Sequence, residues 1–263
     1  MNIDNLIARR RKALGPTYSH FYKKPLYLVR GEGVWLFDND GNKYLDCYNN
    51  VPSVGHCNPH VVEQITKQIA TLNTHTRYLH HAVVEYAEML ADTLPGDLSV
   101  CMFVCTGTEA NDLAYRVARA VTGNEGAICT WGAYHGNSTL VSELSPEFER
   151  IRPRPDFIVD VDTPDTYRGR FGADDPDHVQ KYADLVDDAI EELAEQGHKP
   201  AMMIIDSIYD AAGIHTPPPE YQQNVHETVR AAGGLILCDE VQSGLTRLRE
   251  NFWGFMDSGV VPD

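Results

Sequence analysis

Apolar positions along the chain change texture near residue 100. Before it, residues 4–14 carry helical spacing. The stretch PLYLVRGEGVWLFDNDGNKYLDCYN (25–49) alternates apolar and aromatic residues with polar ones, and Asp40-Gly41 sits between two such runs. That is the signature of a hairpin turn. After Pro59, Val62, Ile65, Ile69 and Leu72 recur at helical intervals, and residues 81–94 repeat the pattern up to Pro95-Gly96.

Beyond it, short apolar runs alternate with helical stretches. The runs are VCMFVC (100–105), GAICT (126–130), a weaker one over 157–162, AMMIIDS (201–207) and LILCDE (235–240). Helices are predicted after 107, over 177–196 and over 219–232. Runs of this length between helices predict βαβ units, an α/β fold with a mostly parallel sheet flanked by helices. The acidic, proline-rich stretch 145–176 reads as a surface excursion. The division expected is residues 1–75, an N-terminal arm and hairpin segment, and 76–263, a large domain.

Composition narrows the choices. A formal charge of −16 argues against nucleic acid as a partner. No apolar run approaches the length a bilayer requires, and the N-terminus has no apolar core behind its basic residues, so neither a membrane span nor a secretory signal is expected. Six scattered cysteines without a CxxC fit a reducing cytoplasm. His56-Cys57 with His60, and His80-His81, lack metal-ligand spacing, so no metal is expected.

Four strand ends carry chemistry, where ligands of open α/β sheets gather. Thr106-Gly107-Thr108-Glu109 opens a helix whose first N–H groups suit an anion such as phosphate. An ordinary cap by Thr106 or Thr108 explains the same residues. Trp131-Gly132-Ala133-Tyr134-His135-Gly136 places an aromatic between glycines, able to lie flat on a planar ligand or to form a plain tight loop. Asp206 reads first as a cap for the segment after it. Asp239 is an acid at the tip of an apolar strand, costly to bury without a partner. A pyridinium N–H is one such partner, with Gln242 placed for a ring substituent; a metal or a purely structural role are others. A phosphate cup, an aromatic lid, an acid for a ring nitrogen and an amide together match pyridoxal 5′-phosphate.

Those motifs, with GVWLFDNDGNKYLDCYNN, VGHCNPHVVEQI, CTGTEANDLAYRVAR, YHGNST, DEVQSG and FWGFMDSGVVPD, resemble the class III aminotransferases, pyridoxal-phosphate enzymes of fold type I. NNVPSVGHCNP, LNTHTRYLH and PDTYRG resemble the branch of ethanolamine-phosphate phospho-lyases and alanine–glyoxylate-type transaminases. The resemblance implies that Gly107 and Thr108 hold the phosphate, Tyr134 stacks on the ring with His135 beside it, Asp239 pairs with the ring nitrogen, and Gln242 approaches the ring hydroxyl. It places Asp206, Asn50 and Arg247 in supporting or substrate-facing positions. It implies a small-molecule amino donor, a keto acid and, in the complete protein, a homodimer.

The chain departs from the family at Asp206-Ser207, where Glu-Pro is usual, and at Leu245-Thr246-Arg247-Leu248-Arg249, where Phe-Gly-Arg-Thr-Gly is usual. YHGNST also lacks an arginine after its glycine. The family's Schiff-base lysine follows GVVPD, so the expectation is that this chain lacks both that lysine and the C-terminal small domain.

Overall fold

The computed structural model describes residues 3–20, 22–49, 52–147, 152–248 and 250–263. It forms two compact units, residues 1–79 and 80–263.

The first unit begins with α1 (Ile3–Leu14) and an antiparallel sheet of β1 (Leu28–Glu32), β2 (Trp35–Asp38) and β3 (Lys43–Leu45). Asp38 closes the predicted β2–β3 hairpin. Its carboxylate accepts from Asn42 N at 2.9 Å and Tyr44 Oη at 2.7 Å, while Gly41 supplies the positive φ of the turn. Then α2 (Pro59–Thr71) starts at Asn58, whose side chain accepts from His60 N and Val61 N. Its apolar stripe of Val62, Ile65 and Ile69 is exposed.

The second unit opens with α3 (His81–Ala91) and α4 (Gly107–Thr122). The rest alternates β4 (Gly126–Thr130), β5 (Ile158–Val161), α5 (His178–Glu195), β6 (Pro200–Asp206), α6 (Pro219–Ala231) and β7 (Leu235–Asp239). The four strands pair in parallel, in the order β5-β4-β6-β7. Every residue of β4 and β6 is buried, as expected of inner strands covered on both faces. One face packs Ile128, Met203, Ile205 and Ile236 against α5 and α6; the other packs Cys129, Met202 and Ile204 with Tyr115 and Ala118 of α4.

Two expectations are corrected. VCMFVC (100–105) lies outside every helix and strand and joins no ladder among the described residues. A strand exists only through its neighbour's hydrogen bonds. Here the run leans on α3 instead: Cys101 Sγ donates to Ala87 O at 3.5 Å and Phe103 stacks on Tyr86, while Val100, Met102 and Val104 stay exposed. The surface excursion over 145–176 is interrupted by β5, which is largely buried because it pairs with β4.

Candidate functional site

Three segments meet at the carboxyl ends of the parallel strands. The first is the start of α4. Thr106 is its N-cap, with Oγ1 accepting from Glu109 N at 3.1 Å, and Glu109 returns a bond from Cys105 N at 2.7 Å. Capping therefore falls to Thr106, and the Thr108 hydroxyl faces elsewhere. It lies 3.3 Å from Asn137 N and 3.4 Å from Asn137 Oδ1. The first-turn N–H groups of a helix have no intrahelical acceptor, and they form the positive end of its dipole.

The second segment is the loop after β4. Gly136, at φ +139, packs so closely on Thr108 that a Cβ there would sit 2.9 Å from Thr108 Cα. Glycine is required by that approach. Tyr134 is half-exposed, whereas His135 is buried.

The third is the tip of β7. Asp239 Oδ2 lies 2.9 Å from His135 Nδ1 and accepts from Asn111 Nδ2 at 3.0 Å; Oδ1 accepts from Val241 N at 3.2 Å. Burial pushes this carboxyl up, but the bond and charge of His135, with the Asn111 and Val241 donors, outweigh it and hold Asp239 below the usual carboxylate range. An ionised carboxylate only accepts, so His135 Nδ1 carries the shared proton. Asn111 also donates to His135 O at 2.8 Å, which ties α4, the loop and the strand tip together.

Of the residues named from sequence, Gly107, Thr108, Tyr134, His135 and Asp239 belong to these three segments. Gln242 lies on the turn after β7, beside Val241, whose side chain faces Gly107. Asp206 sits beside Asp239 in register but caps its own turn, accepting from Ile208 N at 3.1 Å and Asp210 N at 2.7 Å. Arg247 is exposed further along the chain, on a separate turn closed by Thr246 N donating to Phe252 O at 3.1 Å. Asn50 lies outside the described residues.

Sequence reasoning missed two residues. Asn111 stands one helical turn after Gly107, a spacing that puts both on one face. Glu240 accepts four bonds: from Ser207 Oγ, from Ser243 Oγ at 2.9 Å, from Gly254 N at 2.5 Å and from Phe255 N at 2.9 Å. It anchors the 3-10 turn over Gly254–Ser258 to the ends of β6 and β7.

Lysines of this unit lie elsewhere. Lys181 Nζ bonds Asp175 Oδ2 at 2.6 Å, and Lys199 precedes β6, at the opposite end of the strands.

The geometry fits pyridoxal 5′-phosphate by its donor set: a helix N-terminus with a glycine-cleared wall for phosphate, and a buried ionised acid for a ring nitrogen.

Comparison with known proteins shows the family. The family model described as aminotransferase class-III matches residues 17–263. An alanine–glyoxylate aminotransferase 2-like protein of Drosophila melanogaster is 39% identical over 98% of this chain and 53% of its own length. Ethanolamine-phosphate phospho-lyase homolog 1 of Caenorhabditis elegans is 34% identical over 99% of this chain and 59% of its own length. A solved phospholyase from Arthrobacter, in complex with phosphoethanolamine, superposes with a TM-score of 0.92 at 40% identity, covering 98% of this chain and 61% of that one. The chain thus spans a little over half the length of these two curated relatives.

Proposed function

The chain belongs to the class III aminotransferase family, and from that premise we propose that it carries the N-terminal arm and much of the cofactor-binding domain of a pyridoxal-phosphate-dependent aminotransferase. The observation that carries the reading is Asp239, a buried carboxylate kept ionised by His135 and Asn111 beside the N-terminus of α4.

In this reading Gly107 and Thr108 receive the cofactor phosphate at the positive end of the α4 dipole. Asp239 holds a proton on the ring nitrogen, and His135 and Asn111 keep that carboxylate in place and charged. Tyr134 covers the ring face, and Gln242 meets the ring hydroxyl. When bound, pyridoxal phosphate supplies an electron sink for charge at the substrate carbon bearing nitrogen. The substrates are an amino donor and a keto acid. No lysine of this chain is assigned to the reaction, so transfer by these residues alone is not part of the proposal.

A homodimer belongs to the same reading, supported by the exposed apolar faces of α2 (Val62, Ile65, Ile69) and α3 (Val84, Tyr86, Met89). So does a cytoplasmic location, supported by six free cysteines. The second reading is a phospho-lyase acting on a phosphorylated amino alcohol, favoured by the Arthrobacter phospholyase's likeness. A third is a pyridoxal-phosphate-binding protein without catalysis.

The deciding experiment takes the polypeptide as its source makes it, saturates it with pyridoxal phosphate, and supplies either L-alanine with glyoxylate or phosphoethanolamine. Keto acid formed from alanine supports the transaminase. Inorganic phosphate released from phosphoethanolamine supports the phospho-lyase. Cofactor binding with neither product supports the non-catalytic reading, and no cofactor binding overturns all three.

A further inference from the structure

A second hollow, of about 680 Å³, opens in the same unit. It is lined by Trp131, Asp162, Thr163, Arg168, Arg170 and His215, among others. Trp131 follows β4 and Asp162 follows β5, so it lies at the strand ends where open α/β sheets take ligands. The volume is that of a small-molecule site. None of these residues belongs to the cofactor constellation described above.

The walls are firmly built. Trp131 N donates to Val161 O at 2.7 Å, and Trp131 O accepts from Thr163 Oγ1 at 2.6 Å, yet Trp131 is 59% exposed. Asp165 accepts from Tyr167 N at 2.9 Å and Arg168 N at 3.0 Å. Burial pushes its carboxyl up, but those bonds and the charges of His215 and Arg168 prevail and hold it low. The buried Tyr182 hydroxyl donates to Asp165 O at 2.9 Å and accepts from Phe171 N at 3.1 Å. Gly169 is wedged against Asp165 O and the Tyr182 hydroxyl, leaving no room for a Cβ. This loop thus presents two guanidiniums from a fixed backbone. Arg168 is 3.7 Å from Asp165, and Arg170 has no carboxylate partner among the described residues, lying only over the Phe171 ring.

Acids outnumber bases in a chain of charge −16, so two guanidiniums in one lining mark a place for an anion. The same lining also carries the reverse chemistry: the exposed Trp131, whose ring face attracts ammonium, and the exposed Asp162 carboxylate. We propose that this hollow binds a small zwitterion, its phosphate or carboxylate between Arg168 and Arg170 and its ammonium against Trp131 and Asp162.

The test is calorimetric titration of the full chain with O-phosphoethanolamine, β-alanine and inorganic phosphate. Each is run with and without saturating pyridoxine 5′-phosphate, which has no aldehyde to react with amines. The expected result is saturable zwitterion binding that survives pyridoxine phosphate and weakens at least about tenfold in R168A/R170A. D162N should weaken both zwitterions several-fold and leave inorganic phosphate unchanged. The stronger binder of phosphoethanolamine and β-alanine identifies the preferred anion. No saturation of either zwitterion by about 10 mM, abolition by pyridoxine phosphate, or wild-type affinity in R168A/R170A would overturn the proposal. Both arginines are exposed, so their loss should leave the circular dichroism and urea midpoint unchanged.

Discussion

Replacing Asp239 by Asn tests the centre of the proposed site with almost no change of shape. The amide keeps one oxygen to accept from Asn111 or Val241, and His135 Nδ1 can change tautomer to accept from the new NH2. What disappears is the negative charge that burial opposes and that His135 and Asn111 sustain. If that charge exists to hold a ring N–H, its loss removes one charge-assisted hydrogen bond. Such bonds contribute about 1.5–3 kcal/mol, so affinity for pyridoxal phosphate should fall about 10- to 150-fold. The assay is equilibrium titration of the purified chain with pyridoxal phosphate, followed by cofactor absorbance, with circular dichroism to confirm that the variant is folded. A folded variant that binds the cofactor as tightly as the wild type would show that the charge serves only His135 and Asn111, and the assignment of the strand-tip acid would be wrong.

Other consequences follow from single residues. Thr106→Ala should destabilise the protein by about 1 kcal/mol in urea while Thr106→Ser stays near wild type, because Thr106 is the cap of α4; equal midpoints for all three would contradict that role. Gly136→Ala forces a Cβ onto Thr108 and strains a backbone at φ +139, so it should cost about 1–3 kcal/mol in urea and also weaken cofactor binding; an unchanged midpoint would mean the loop is free to move away from α4. Burial, aided by Arg230, holds the His226 imidazolium at about 4 against an ordinary 6.5. Its contribution is fully present above pH 6.5 and fades as pH falls toward 4, because the unfolded chain takes up the proton first. Between pH 7.5 and 5 the loss is about 2 kcal/mol, and a His226→Leu variant should lose that much less over the same interval in urea unfolding.

Much of this was legible in the sequence, for reasons tied to period and punctuation. The runs 126–130, 201–207 and 235–240 are strands because each is short, apolar and followed by a polar tip, which suits β4, β6 and β7. Asp40-Gly41 gave the hairpin through glycine's positive φ. The illegible parts depend on who lies beside whom. VCMFVC has strand composition, but its neighbour in space is α3. The choice between Thr106 and Thr108 as cap turns on two residues of helix register, which periodicity does not fix. Asn111 looked like any polar residue on an amphipathic helix until the fold brought it to Asp239, 128 positions later.

The two acids at adjacent strand tips show how such placement divides roles. Asp206 and Asp239 are register partners on β6 and β7, and both are largely buried. Two like charges so placed cannot both ionise freely. The fold gives the donors from outside the strand, His135 and Asn111, to Asp239 alone, and it stays charged. Asp206 is pushed up, first by burial and also by its neighbour's charge, although it accepts two backbone N–H groups of its own turn. The departure from the family's Glu-Pro at this point is consistent with that division. A side chain one methylene shorter suits a carboxylate that folds back onto Ile208 N and Asp210 N, steadying a turn in which Tyr209 adopts φ +52. Serine in place of proline adds a hydroxyl that donates to Glu240, a bond proline cannot make. The altered pair therefore strengthens the frame beside Asp239.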